Sequence, residues 1–218
     1  FQRRACDMLT SGKTRDAFDL SREPDKIRDS YGRNLYGSSL LVARRLGEAG
    51  VPFVSVHQEI FRHYGHAYDM HENNFSMLKN HNLPILDQVY PALIQDLEDR
   101  GLLDSTLVIV MGEMGRSPRI NGKAGRDHWP QCWTMLMAGG GIKGGQVIGS
   151  SDETGGATRD RPTSTGQIAA TDVHGLGIDP GTELTRPGGR PDRPVERGLS
   201  TSTAADREKS TRHTNTHT

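Results

Sequence analysis

The run Leu107-Val-Ile-Val-Met111 admits few local conformations. It is short, apolar and rich in β-branched residues, and Gly112 closes it. That combination predicts a buried strand, because β-branched side chains pack well on a pleated surface and are crowded in a helix. Glu113 stands where the strand ends, with Gly115 and Arg116 behind it. Asp127 and His128 follow in Gly125-Arg-Asp-His-Trp129. Ligands of open α/β sheets sit outside the carboxyl ends of the strands. A carboxylate there, with a histidine returned by a polar loop, predicts a metal or catalytic corner.

The elements around this strand alternate. Phe1 to Leu9 reads as a short helix and Ser11-Gly-Lys-Thr-Arg as a polar break. Gly12-Lys13-Thr14 has the ending of a phosphate-binding loop without its first glycine or a preceding strand. Ser21 is a candidate helix cap with Pro24 in the first turn. Leu40, Leu41, Ala43, Leu46 and Ala49 form a helical stripe that stops near Gly50. Val51 to His57 reads as a strand, with Pro52 at its start where no ladder donor is needed. Asn73 is a candidate cap for a long helix with apolar positions Phe75, Leu78, Ile85, Val89, Leu93 and Leu97. Pro84 inside that pattern predicts a kink or a split, and Gly101 a stop. Trp133 to Ala138 is another apolar run, ended by Gly139 to Gly141. Ile168 to Leu176 predicts a last short helix. The alternation points to an α/β layered domain with a partly parallel sheet.

Length and composition bound the rest. The 218 residues can form a core, but only 33% are hydrophobic, low for a globular domain. The shortfall concentrates at the end. Beyond Thr185 the chain turns to Arg, Pro, Gly, Ser and Thr, which bury too little to offset ordering entropy. Residues 1–184 are therefore expected to form the folded part and 185–218 a disordered tail. Lys+Arg and Asp+Glu balance at 27 each, which argues against broad electrostatic binding of nucleic acid or anionic membrane. Cys6 and Cys132 make neither a disulfide framework nor a zinc knuckle, and free structural thiols are expected. No apolar run reaches the length of a membrane span. Phe1-Gln-Arg-Arg is neither a signal peptide nor an initiating Met, so a fragment or a processed product is expected.

The chemistry-bearing residues form one group. Asp69 and His71 are two apart, and in an extended segment such residues share a side. Both can then face one metal, together with Glu113 and His128 from the next strand end. Carboxylates and imidazoles suit zinc, manganese or similar divalent ions. Asp127 is either a further ligand or the partner that orients a ligating imidazole. Arg116, Lys123 and Arg126 surround this corner and can hold an anionic ester oxygen. Blander roles compete with these. Asp-x-His is common; His57, His63 and His66 read as loop or surface histidines; Glu113 can be a helix-start carboxylate and Asp127 a cap. Trp129 reads as a packing anchor. Gly139-Gly-Gly-Ile-Lys-Gly-Gly145 lacks nucleotide-motif spacing and reads as a turn. Ser150, Ser151, Ser164 and Thr165 carry no nucleophile arrangement.

Longer motifs run through the same residues: Asp69-Met-His-Glu-Asn-Asn-Phe75, Leu97-Glu-Asp-Arg-Gly-Leu-Leu103, Val110-Met-Gly-Glu-Met-Gly-Arg116, Gly125-Arg-Asp-His-Trp-Pro130 and Ala138-Gly-Gly-Gly-Ile-Lys-Gly-Gly-Gln-Val147. From about Ala17 to Pro180 the chain resembles a bacterial sulfatase-like family labelled a domain of unknown function, number fifteen-oh-one. That family is placed in the alkaline phosphatase and sulfatase superfamily. The resemblance implies an alkaline-phosphatase-like α/β/α sandwich, incomplete at the N-terminus, with a metal site at the strand ends. It implies one or two divalent ions (zinc, manganese, calcium or magnesium) on Asp69, His71, Glu113 and His128. Asp127 is a further candidate, and Arg116 or Arg126 is a candidate catalytic cation. An early acidic metal residue and a Ser or Thr nucleophile are expected in an N-terminal half that this chain does not include. Ala67-Tyr68 replaces the family's Gly-Trp, and the match weakens after Glu153. Family resemblance also suggests export to the periplasm or beyond.

The reading that follows is the C-terminal part of a metal-dependent hydrolase of sulfate or phosphate esters, acting on a small-molecule or polysaccharide ester. Its rival is a non-catalytic binding or structural module on the same fold, or a degenerate fragment.

Overall fold

The computed structural model describes Arg3 and residues 11–58, 68–179, 182–185, 188, 189, 191 and 192. Arg3 apart, the expected helix over Phe1 to Leu9 lies outside the described residues, as do Cys6, His63, His66 and the tail beyond Asp192. The chain divides into two units. The first holds Phe1–Gly101 and Arg116–His128, the second Leu102–Gly115 and Trp129–Thr218.

The first unit is built on helices. Helix α1 spans Gly12–Ala17 and α2 spans Asp25–Ser30, with a 3-10 turn at Leu20–Arg22 between them. Ser21 falls inside that turn instead of capping a helix. Asp19 is the cap, accepting hydrogen bonds from the Ser21 backbone N–H and hydroxyl, because its ionised carboxylate is the stronger acceptor. Helix α3 is Leu35–Glu48, and the Asn34 side chain accepts from Gly37 N at its start. The apolar stripe brings Leu41 to 1% exposure, yet Arg44 is buried on the same face. A charge survives there because acidic partners meet it. Arg44 bonds Asp96 at 2.8 Å and pairs with Glu23 at 2.8 Å. Tyr31 donates to Asp96 at 3.0 Å. Gly37 lets the helix approach this cluster, since a Cβ there would stand 1.7 Å from the Tyr31 carbonyl oxygen.

The long helix predicted after Asn73 is split as Pro84 requires. Helix α4 covers Asn74–Met77, a π-helical turn Leu78–Asn82, and helix α5 Leu83–Asp99. Pro84 has no N–H for the residue one turn earlier and its ring crowds that carbonyl, so the backbone widens just before it. The wider turn changes the phase of the apolar face. Val89, Leu93 and Leu97 are buried, whereas Phe75 is 54% exposed. Asn73 precedes α4 in a left-handed conformation and makes no side-chain cap. The backbone N–H groups of Asn73 and Asn74 instead donate to the carbonyls of Lys123 and Ala124. At the far end Gly101 N donates to Glu98 O, as expected of a stop.

Three strand expectations change. Val51 to His57 carries no ladder among the described residues, and Phe53 is 80% exposed. An extended segment counts as a strand only when its backbone groups are paired, and no described strand pairs with it. The run at Leu107 does form a strand, β1 Val108–Met111. Its central residues are half-buried rather than buried, and Met111 is 55% exposed. The expected partly parallel sheet is replaced by small antiparallel ladders. β1 pairs antiparallel with β4, Met135–Ala138, with Val108 opposite Ala138 and Met111 opposite Met135. β2 (Gly115–Ile120) pairs with β3 (Arg126–Trp129) as a hairpin. Short ladders join β5 (Ser150–Ser151) to β6 (Thr158–Asp160) and β7 (Leu184–Thr185) to β8 (Pro191–Asp192). Two-stranded ladders need no long crossover, unlike parallel pairs. The fold is mixed α/β, without a wider sheet among the described residues.

In the second unit, α6 spans Thr165–Gly175. Ser164 is its cap: its hydroxyl accepts from Gln167 N while the Gln167 side chain accepts from Ser164 N. This capping box explains the serine structurally. Trp129 is an anchor, its indole N–H donating to Gly156 O at 2.6 Å. Cys132 is a free thiol. Among the described residues no helix is long and apolar enough to cross a membrane.

Candidate metal centre

Asp69, Met70 and His71 alternate as an extended segment should. Met70 is 1% exposed while Asp69 and His71 face solvent. The Met70 carbonyl accepts from Arg126 N at 3.1 Å, which ties this segment to β3. Glu72 forms an antiparallel bridge with Ala124. Gly125 sits against the same segment, where a Cβ would stand 1.9 Å from His71 O. Only glycine permits that approach. The hairpin thus delivers Asp127 and His128 to the residues just ahead of α4.

Three side chains meet there. His128 Nε2 lies 2.9 Å and His71 Nε2 3.1 Å from Asp69 Oδ1, and the two Nε2 atoms are 3.3 Å apart. Ligands at about 2.0–2.2 Å from a tetrahedral ion stand roughly 3.3–3.6 Å from one another, so the two Nε2 atoms are at that spacing and Asp69 Oδ1 is a few tenths of an ångström inside it. The donor set, one carboxylate and two imidazoles, suits zinc or a similar ion. The three residues are exposed, and three protein ligands leave a tetrahedral ion one open position.

Asp127 stands at the outer nitrogen of His71. Its Oδ1 is 2.9 Å from His71 Nδ1. Hydrogen bonds from His71 first, then Asn121, hold its carboxyl below the ordinary range, so it is the acceptor at that contact. His71 Nε2 faces the cluster. Carboxylate–histidine pairs of this form fix ring orientation at metal sites. Asp69 is held at about 2 by hydrogen bonding to His128, then to Arg116. It is an anion at any ordinary pH.

The other predicted residues separate. Arg116 pairs with Asp69 Oδ1 at 2.5 Å and is beside the cluster. Arg126 directs Nε to Ser117 O at 2.6 Å and a terminal nitrogen to Arg116 O at 3.0 Å. Those donors serve the hairpin backbone. Glu113 is an exposed turn residue of the second unit, and the clustered residues belong to the first. Lys123 is exposed in the hairpin loop, its N–H on Asn121 Oδ1. His57 is exposed, with Ser55 Oγ 2.8 Å from its Nε2. Two residues escaped the sequence reading. Asn121 donates to Asp127 Oδ1 and to His71 O. Ser117, buried in β2, accepts from Asp127 N at 3.1 Å. Asn followed by Gly at 121–122 marks a turn, but nothing local says what the turn holds.

The family described as Protein of unknown function (DUF1501) matches residues 2–200. The chain belongs to that family. The DUF1501 match extends beyond the Ala17-to-Pro180 likeness at both ends and includes both halves of the cluster. The chain matches no curated protein and no solved structure.

Proposed function

We propose that this DUF1501 chain is the metal-binding part of a hydrolase acting on sulfate or phosphate esters. The observation that carries the reading is the convergence of Asp69 Oδ1, His71 Nε2 and His128 Nε2 within 3.3 Å, with Asp127 behind His71. A divalent ion there supplies Lewis-acid polarisation of an ester oxygen. Asp69 contributes the negative charge that retains the ion. Asp127 keeps the His71 proton on Nδ1. Arg116 orients Asp69 and places a guanidinium where an anionic ester would approach. The three-ligand geometry supports a catalytic site over a purely structural one, since structural zinc sites are usually closed by four protein ligands. The sandwich architecture and superfamily membership belong to this proposal, as does the choice among zinc, manganese, calcium and magnesium.

The test is elemental analysis of the purified protein beside a His71→Ala/His128→Ala variant, followed by a screen of aryl sulfates and aryl phosphates. Stoichiometric metal in the parent alone, with ester hydrolysis that a chelator stops, is the expected result. A parent that takes up no divalent ion overturns the reading.

A further inference from the structure

The amide of Asn121 joins the hairpin loop to this site. Its Nδ2 donates to Asp127 Oδ1 at 3.1 Å and to the His71 carbonyl oxygen at 3.0 Å. Its Oδ1 accepts from Lys123 N at 2.9 Å and Gly125 N at 3.0 Å. Both ends of the amide are therefore committed. The oxygen closes the hairpin loop, which presents Gly125 against the His71 backbone. The nitrogen holds one oxygen of Asp127, the same oxygen that meets His71 Nδ1 at 2.9 Å. His71 is gripped at its ring and its main chain by one side chain acting through two contacts.

We infer that Asn121 is a positioning residue that sets the orientation of His71 through Asp127. Asn121 touches none of Asp69 Oδ1, His71 Nε2 and His128 Nε2, so its effect passes through Asp127 and the His71 main chain. A carboxylate that accepts from an amide in a fixed direction is less free to swing away from the imidazole. With Asp127 held, the His71 ring keeps Nε2 turned toward Asp69 and His128. Outer partners of this kind typically change metal affinity by about 10–100-fold when removed. The inference rests on the metal-binding reading for its affinity consequence, but the ring orientation can be read in the metal-free protein.

The two atoms of the amide can be tested apart. Asn121→Asp keeps an oxygen to close the loop and sets a like charge against Asp127 in place of the donor. Asn121→Ala removes both oxygen and donor. Nuclear Overhauser contacts of the His71 ring protons in the metal-free protein read the ring orientation, and competition with a chromophoric chelator reads the affinity for zinc alone. The expected result is one ring orientation of His71 in the parent and a mixture in both variants. Zinc affinity should fall by about 10–100-fold in the variants. Unchanged ring orientation in a folded Asn121→Asp or Asn121→Ala protein overturns the inference, whatever the zinc result. A parent that binds no zinc while the ring orientation changes as expected overturns the metal-binding reading and leaves the role of Asn121 standing.

Discussion

Asp127 meets His71 at Nδ1, which leaves Nε2 facing Asp69 and His128. An ionised carboxylate can only accept, so with a cation on Nε2 it would accept from the Nδ1–H. Replacing Asp127 by Ala is expected to lower zinc affinity by about 10–100-fold without removing a ligand. His128→Ala should abolish stoichiometric binding. Isothermal titration separates the two outcomes, and equal affinities for parent and Asp127→Ala would deny Asp127 its role. Gly125 matters for a steric reason. A methyl group there would stand 1.9 Å from His71 O, and overpacking of this kind costs about 1–3 kcal/mol. Gly125→Ala should therefore lower stability in urea denaturation and weaken zinc binding together, because the hairpin must move off the segment it positions.

At the level of elements, α3 and α5 are joined by charge as well as apolar packing. Arg44 meets Glu23, Glu48 and Asp96, and Arg100 meets Asp96 at 2.7 Å and Glu48 at 2.8 Å. Burial alone pushes the Glu23 carboxyl up, but hydrogen bonds from Arg44 and Arg45 outweigh it and the carboxyl sits below its ordinary 4.5. A carboxylate whose folded value is depressed contributes stability that is present above its unfolded value. That contribution is lost as pH falls through the lower, folded value. Stability of the parent should thus decline on acidification below about pH 4.5, the ordinary Glu23 value. Glu23→Gln should flatten that part of the profile. It should also lower stability at neutral pH by about 3–5 kcal/mol, the cost of leaving a buried cation short of a partner. Thermal unfolding followed by circular dichroism across pH reads both effects. A parallel decline in parent and variant would mean that other carboxylates govern the acid limb. In the second unit, Ser164→Ala should cost about 1 kcal/mol by removing the cap of α6.

For the molecule as a whole, a bound ion links the site to stability. A ligand that binds only the folded chain stabilises it by about 2.7 kcal/mol at a free concentration of 100 times its dissociation constant. Zinc should raise the unfolding temperature of the parent, a chelator should reverse the rise, and His71→Ala/His128→Ala should show neither change. A zinc-induced rise in the double variant would place binding elsewhere. The residues tied together in this way come from distant parts of the sequence. Asp69 and His71 precede α4, whereas Asn121, Asp127 and His128 lie in the hairpin.

Local rules sufficed for features whose cause is local. The helical stripe ending at Gly50, the split before Pro84, the last helix over 165–175 and the shared side of Asp69 and His71 follow from periodicity, a missing N–H and the alternation of an extended chain. The donor chemistry of the candidate residues was legible for the same reason, since it belongs to the side chains themselves. Pairing was not. Whether Val51 to His57 finds a neighbour, and whether the ladder at β1 runs parallel or antiparallel, depends on segments far along the chain. Those contacts leave no mark on the strand's own residues. The same holds for the division of labour among Asp127, Arg116, Arg126 and Glu113. All are charged residues near a strand end. Only the tertiary fold aims Asp127 at His71, directs Arg116 to Asp69, engages Arg126 with main-chain carbonyls and puts Glu113 in the other unit. Sequence fixes what each group can donate or accept; the long-range path of the backbone decides which partner it reaches.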